Sequence, residues 1–340
     1  APALAVRGYD SRANGIAFEY PAGWSVQESG RVLTIAPASG AADCGAVIAD
    51  ITKEMQLFLA GHGDLISSAE ALMKRHATLF VGDAELQNYQ SAAASAGEVA
   101  GSASFLFEDG GRVYTCAMEV TQTGGRVMLT LFGKGGGTEE KNAELDGLYA
   151  GLIESLRLFG TEGELVPADL TELGFPEVEE GYYAYYNPIT GQFLTIPERC
   201  DVASGPYDSQ VVIYSADHGL LITGNWTARF NEIYDSTNGD LQQCYAVFVA
   251  ECIEAAEAVF GQKLLYRDMT YQTDSNYGEL IKAVFYVDPD GVPTRCFAEL
   301  AVRGDFIQGR FNIYNPENEQ AGRKLFNGIM DTSLITFPDL

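Results

Sequence analysis

Basic residues are scarce in this chain of 340 residues: 21 Lys and Arg stand against 47 Asp and Glu, a formal net charge of −26. Residues 1–160 carry −8, residues 161–180 carry −7 and residues 181–340 carry −11, so no segment is basic. Nucleic acid is repelled along the whole length, and so is an anionic membrane surface; neither is expected as a partner. Histidine is scarcer still, at His62, His76 and His218. Six cysteines (44, 116, 200, 244, 252 and 296) are scattered with no C-x-x-C, so no zinc site is expected. They read as buried free thiols, with isolated disulfides the alternative in an exported chain. No apolar run approaches the roughly 18 residues of a membrane-spanning helix. Catalytic motifs are lacking too. There is no G-x-S-x-G elbow. Lys134 in "LTLFGKGGGTEEK" is followed by Gly, where a phosphate-binding loop needs Ser or Thr, so this is read as a loop entering a helix. "DPDG" (288–291) matches only the opening of a calcium loop; Glu299 stands at position 12, but a strand intervenes, and the stretch is read as a β-turn. With no activated nucleophile or acid–base pair, the expectation is a non-enzymatic protein without cofactor or metal.

What is present is repetition. "YDSRANGIAFEYP" (9–21) and "YYNPITGQFLTIP" (185–197) superpose with a shift of 176, setting Tyr9 on Tyr185, Gly15 on Gly191 and Pro21 on Pro197. "DGGRVYTCAMEVTQTGG" (109–125) matches "PDGVPTRCFAELAVRGD" (289–305) with a shift of 180, so that Cys116 meets Cys296 and Glu119 meets Glu299. "ESLRLF" (154–159) matches "TSLITF" (332–337). Gly-containing turns between alternating segments predict hairpins. Three matches in one order imply two copies of one plan.

Helix signals recur as well. Ser67 to Glu70 spells a capping box before the stripe Leu65, Ala69, Leu72, Met73, His76 and Leu79, where His76 reads as packed. Asp240 with Gln243 opens a second stripe through Cys244, Tyr245, Phe248, Ala255 and Val259, which Gly261 ends. Leu145, Leu148, Leu152 and Leu156 mark the closing helix of the first copy. Asn315-Pro316, with Pro at the first helical position, opens that of the second, through Leu325, Phe326 and Ile329. The expected class is α+β: two copies of an antiparallel β-sheet flanked by helices, an αβα sandwich. The boundaries are 1–159 and 182–340. Between them, residues 160–181 carry seven acids and no base and read as an extended acidic linker, pinned by Leu165, Leu170, Leu173 and Phe175.

The order of "FEYPAGW", the hairpin "SVQESGRVLTIAP", a capped helix, "FEDGGRVYTCAMEV", "GGRVMLTLF" and a closing "ESLRL" resembles the PsbP-like family. The resemblance covers residues 9–159 well and 182–337 more loosely, because "IPERC" replaces "YPAGW" and Cys200 stands where Trp24 stood. It implies an antiparallel sheet sandwiched by helices, a fold shared with a yeast Ran-binding regulator. It also implies a protein that acts by binding, as many exported bacterial relatives do, and it brings no catalytic residues. No His/Asp cluster is present to carry the metal binding ascribed to the photosystem members. A chain that begins at Ala suggests processing, so an extracytoplasmic protein, secreted or lipid-anchored, is expected, with a protein or envelope component as partner.

The candidate binding surface is "GYYAYYNP" (181–188), where Tyr182, Tyr183, Tyr185 and Tyr186 alternate across a strand; exposed tyrosine suits recognition, and packing on the sheet is the alternative. A small-ligand or carbohydrate receptor using an interdomain cleft, and an unrecognised hydrolase, are the other readings. "NWT" (225–227) matches a glycosylation acceptor.

Overall fold

The computed structural model describes residues 5–11, 14–38, 44–62, 65–82, 86–93, 99–204, 210–272, 279–288 and 291–337. The chain divides into two compact units, Ala1–Asp169 and Leu170–Asp339. The first unit begins with β1 (Val6–Ser11), β2 (Ile16–Pro21), β3 (Trp24–Ser29), β4 (Val32–Pro37) and β5 (Cys44–Asp50). Helices α1 (Thr52–His62) and α2 (Leu65–Val81) follow, then β6 (Gln87–Ala93), β7 (Val99–Asp109), β8 (Arg112–Thr123), β9 (Arg126–Gly135), α3 (Glu139–Ser155) and β10 (Arg157–Leu158). The second unit runs β11 (Tyr182–Asn187), β12 (Gln192–Pro197), β13 (Asp201–Ser204), β14 (Val211–Ser215) and β15 (Gly219–Asn225), then α4 (Thr227–Ser236) and α5 (Leu241–Phe260). It ends with β16 (Tyr266–Gln272), β17 (Glu279–Val287), β18 (Thr294–Arg303), β19 (Phe306–Tyr314), α6 (Glu319–Asp331) and β20 (Leu334–Ile335).

Each unit holds a seven-stranded and a three-stranded sheet, with the same strand order in both units. The large sheets run β3-β4-β5-β9-β8-β7-β6 and β13-β14-β15-β19-β18-β17-β16; the small ones run β1-β2-β10 and β11-β12-β20. All pairings are antiparallel, and register matches: Cys116 faces Gly133 as Cys296 faces Ile313, both offset by 180. The fold is α+β, two copies of an antiparallel sheet flanked by helices. In the second unit, alternation along β14 and β15 sends Val212, Leu220 and Ile222 to one face, against Phe248 and Trp226. Val211, Ile213 and Leu221 point to the other, against Leu194, Phe326 and Ile329. Both faces are covered, so these strands are apolar throughout. The first unit packs Ile35, Ile48, Leu152 and Tyr149 in the corresponding layer. Trp24 and Cys200 sit in corresponding clusters, Trp24 edge-on to Tyr149 at 6.4 Å.

Several local expectations hold. Gly15 and Gly191 have φ of 62° and 68°, and Pro21 and Pro197 end β2 and β12. The Asp240 carboxylate accepts from the Gln242 and Gln243 amides, and Gly261 closes α5 in the left-handed conformation. Gly291 has φ of 75° and donates to the Asp288 carbonyl at 3.4 Å, as a turn requires; Pro289 and Asp290 lie outside the described residues.

Others are corrected. Each unit has two consecutive helices after its third hairpin strand, not one; α1 and α4 were not expected. Helix α2 begins at Leu65, so the capping-box sequence from Ser67 lies inside it, and Leu79 is 64% exposed while Ala77 is buried in its place. Pro316 does not open α6. Asn315 makes a turn, accepting the Glu317 amide on Oδ1 and the Asn318 amide on its carbonyl, and the helix starts at Glu319. The tail match slips by one residue: Ser155 Oγ accepts the Glu19 amide and Thr332 Oγ1 accepts the Thr195 amide, so Ser155 corresponds to Thr332 rather than Ser333. Residues 160–181 are shared out between the units. The Thr161 carbonyl takes the Gly125 amide, and the Ala168 amide donates to Gln56, while Leu170 and Phe175 are buried in the second unit. No disulfide joins any of the six cysteines, in line with the thiol reading; five are buried and Cys44 is half-buried.

Candidate functional site

Strand β11 carries the four expected tyrosines. Tyr182 is 44% exposed. Tyr183 is half-buried and donates to the Cys200 carbonyl at 3.2 Å. Tyr185 is 6% exposed and packs among Leu194, Ile196 and Phe326. Tyr186 is 1% exposed; its hydroxyl donates to the Thr336 carbonyl at 3.2 Å and its ring lies 4.9 Å from Phe175. Tyr185 and Tyr186 are therefore core residues, a correction to the expected surface. The cause is cover on both faces of the strand. Helix α6 lies over one, and Phe175, stacked 5.1 Å from Phe193, closes the other. Burial pushes the Tyr183 hydroxyl up to about 12 and that of Tyr185 well above its ordinary value, so both stay protonated at neutral pH.

Tyr182 opens onto a groove of about 880 Å³ within the second unit, between α6, β12 and residues 176–179. That volume lies in the range of ligand sites, roughly 300–1,000 Å³. The helix turns Ala321, Lys324, Leu325 and Gly328 toward it, spaced i, i+3, i+4 and i+7. Ala321 and Gly328 keep the groove wide; a Cβ at Gly328 would meet nothing within 4 Å. On the opposite face Gly322 seats the helix, since a Cβ there would come 2.6 Å from the His218 carbonyl. Pro176, Pro197, Ile329 and Leu334 supply apolar lining, with Leu334 exposed. The rim is mixed: Glu177, Glu179 and Asp331 against Arg199 and Lys324. Sequence reasoning found Tyr182 but not the groove, because the i, i+3, i+4, i+7 signal in α6 contains a Lys, a Gly and an Ala.

His218 also lines the groove, but its ring, the other imidazole described and the thiols are tied into the fold. The Ser215 hydroxyl lies 3.0 Å from His218 Nδ1, but Ser215 is 4% exposed and the contact closes the turn between β14 and β15. His76 Nε2 lies 2.9 Å from Glu54 Oε2. The His62 side chain is outside the described residues. Burial raises the thiols of Cys200, Cys244, Cys252 and Cys296, and that of Cys116 to about 12, which keeps them protonated and unreactive. Lys134 lies in β9, not in a loop, and bonds Asp146 at 2.6 Å. Asn225 of "NWT" uses both ends of its amide. Nδ2 donates to the Thr190 carbonyl, and Oδ1 accepts from the amide and hydroxyl of Thr227, the first residue of α4. Among the described residues there is no group of three His, Cys, Asp or Glu that would hold a metal, and no helix long and apolar enough to cross a membrane.

No protein-family model matches the chain, and no curated protein matches it in sequence. Some of the solved structures similar to it cover most of its length, and others about half. The Saccharomyces cerevisiae Ran-binding protein Mog1p is 7% identical, over 47% of this chain and 97% of that chain, with a TM-score of 0.32. Cyanobacterial PsbP from Synechocystis sp. PCC 6803 is 16% identical, over 46% and 94%, with a TM-score of 0.30. LpqN, described as involved in cell envelope biogenesis of Mycobacterium tuberculosis, is 14% identical, over 46% and 87%, with a TM-score of 0.26.

Proposed function

We propose that the chain is a tandem of two PsbP-like domains, acting outside the cytoplasm as a non-catalytic binding protein, with the α6 groove taking an apolar segment of a protein partner. The observation that carries the reading is the groove: an open volume of about 880 Å³ with an exposed Tyr182 and Leu334 at its mouth and two small residues, Ala321 and Gly328, where a packed helix carries large ones. Aromatic anchors and preformed apolar grooves are features of protein recognition. The tandem reading is supported by the shared strand order and the constant offset of register between the units. The extracytoplasmic reading follows from the family resemblance of residues 9–159. A non-catalytic role accords with a buried Ser215 and with thiols held protonated.

The groove is tested by Gly328→Leu, which fills it from a position with free space. The variant folds, because Leu favours a helix more than Gly does, by roughly 1 kcal/mol. In affinity capture from an envelope fraction, a partner retained by the native chain is expected to be lost with Gly328→Leu and weakened with Tyr182→Ser. Equal capture by all three proteins removes the groove from the proposal.

A further inference from the structure

The first unit has a cavity of its own, about 510 Å³, and its chemistry differs from that of the groove. Three bases, Arg31, Lys53 and Arg126, line it with one acid, Asp50. The local balance is thus +2 in a chain of net charge −26. The groove of the second unit, with three acids and two bases, has the opposite sign.

The cations divide into two sets. Both terminal nitrogens of Arg126 are used: they donate to the carbonyls of Asn14, Gly15 and Phe159 and to Asp50 Oδ2 at 2.6–3.0 Å. Asp50 is used as well, since its other oxygen takes the amide and hydroxyl of Thr52. The Asp50 charge is therefore balanced where it stands. The side chains of Arg31 and Lys53 are exposed at the same cavity and enter no ion pair or hydrogen bond among the described residues. Two unpaired cations converge on one concavity although acids outnumber bases by more than two to one. Phe159, 44% exposed, supplies the apolar wall.

The second unit provides an internal comparison. Its capping Thr227 corresponds to Thr52, so Ala228 stands for Lys53; β19 corresponds to β9, so Phe306 stands for Arg126. Phe306 and Phe337 pack there at 6.2 Å between ring centres. At these two positions, among the described residues, the second unit carries no cation.

We infer that this cavity binds a small organic anion, a carboxylate or phosphate monoester held by Arg31 and Lys53 with its flat or apolar part against Phe159. A charge-assisted pair of contacts from a guanidinium and an ammonium suits an oxyanion, and the neighbouring ring removes apolar surface from water. The site is independent of the α6 groove, so either reading stands or falls without the other.

Phenyl phosphate is the probe, titrated calorimetrically into the full chain, with inorganic phosphate and phenol as comparisons. Phenyl phosphate is expected to bind more tightly than inorganic phosphate, and phenol not to bind. The double variant Arg31→Gln/Lys53→Gln, which changes only exposed side chains, is expected to weaken phenyl phosphate by about tenfold or more. Arg303→Glu, which changes the net charge by the same two units at the exposed end of β18 in the second unit, is expected to leave it unchanged. Phe159→Ala is expected to bring phenyl phosphate down to the affinity of inorganic phosphate. Absence of binding, or the same affinity in the double variant as in the native chain, overturns the inference. So does equal weakening by Arg303→Glu, which would mark a response to net charge alone.

Discussion

At the scale of single residues, the first unit depends on Arg126. Its guanidinium joins the β1–β2 turn, the end of β10 and the end of β5, and so ties the small sheet to the large one. Arg126→Met takes one donor from each of three carbonyls and the only cation from a half-buried carboxylate that keeps its Thr52 contacts, and a loss of about 2–3 kcal/mol is expected in urea unfolding. Burial pushes the Asp50 carboxyl up, but the Thr52 hydroxyl and amide and Arg126 outweigh it and hold the group below its usual value of 3.8. A carboxyl depressed in the folded state contributes stability that is present above its unfolded pKa and lost as pH falls through the folded one. Stability should therefore decline below about pH 4 in the native chain, and Asp50→Asn should flatten that decline; an unchanged acid limb would show that other carboxyls set it. None of this was legible in the sequence, because Asp50 and Arg126 stand 76 residues apart and only the fold joins them. Asn225 was legible only as part of a glycosylation pattern; that its amide bonds the Thr190 carbonyl and Thr227 depends on the fold.

At the scale of elements, the ends of the helices are where the sequence spoke most clearly. Asp240 and Gly261 were placed correctly because capping chemistry is local. Asp240→Ala removes the acceptor of two amides and should cost about 1 kcal/mol, read from the midpoint of thermal unfolding. Helices α1 and α4 went unseen because their stripes are short and the first amide of each bonds the last residue of a preceding strand, Asp50 or Asn225, so no separate start signal precedes them. Asn315-Pro316 misled for a related reason. Proline fits the first turn of a helix and the second position of a β-turn equally well, and the Asn315 side chain selects the turn. The tail slipped because identity of letters favoured Ser155 with Ser333, whereas pairing geometry favours Thr332. Gly15 tests the turn that Arg126 grips: it has φ of 62°, and a Cβ would come 2.8 Å from the Phe159 carbonyl. Gly15→Ala is expected to lower stability by more than the roughly 1 kcal/mol of an unhindered left-handed site.

At the scale of the whole molecule, the two-copy plan was readable because glycines and prolines that fix turns survive when packing residues change. The groove and the cavity were not, since each is lined from several separated segments. A chain of net charge −26 repels itself, and salt screens exposed charges within a Debye length of about 8–10 Å near physiological ionic strength. Raising sodium chloride from low to moderate concentration should raise the unfolding temperature; a falling temperature would mean that ion pairs outweigh the repulsion. The two units also join their sheets differently, with Arg126 and Asp50 in one, and with Phe306, Phe337 and Asn225 in the other. That difference bears on inheritance. A genetic crossover between the halves, anywhere from the capped helices to the start of the last long strand, would set an aspartate opposite a phenylalanine or an arginine opposite an asparagine. Recombinants of that kind are expected to unfold at a lower temperature than the native chain, since each leaves a polar group without the partner it has here.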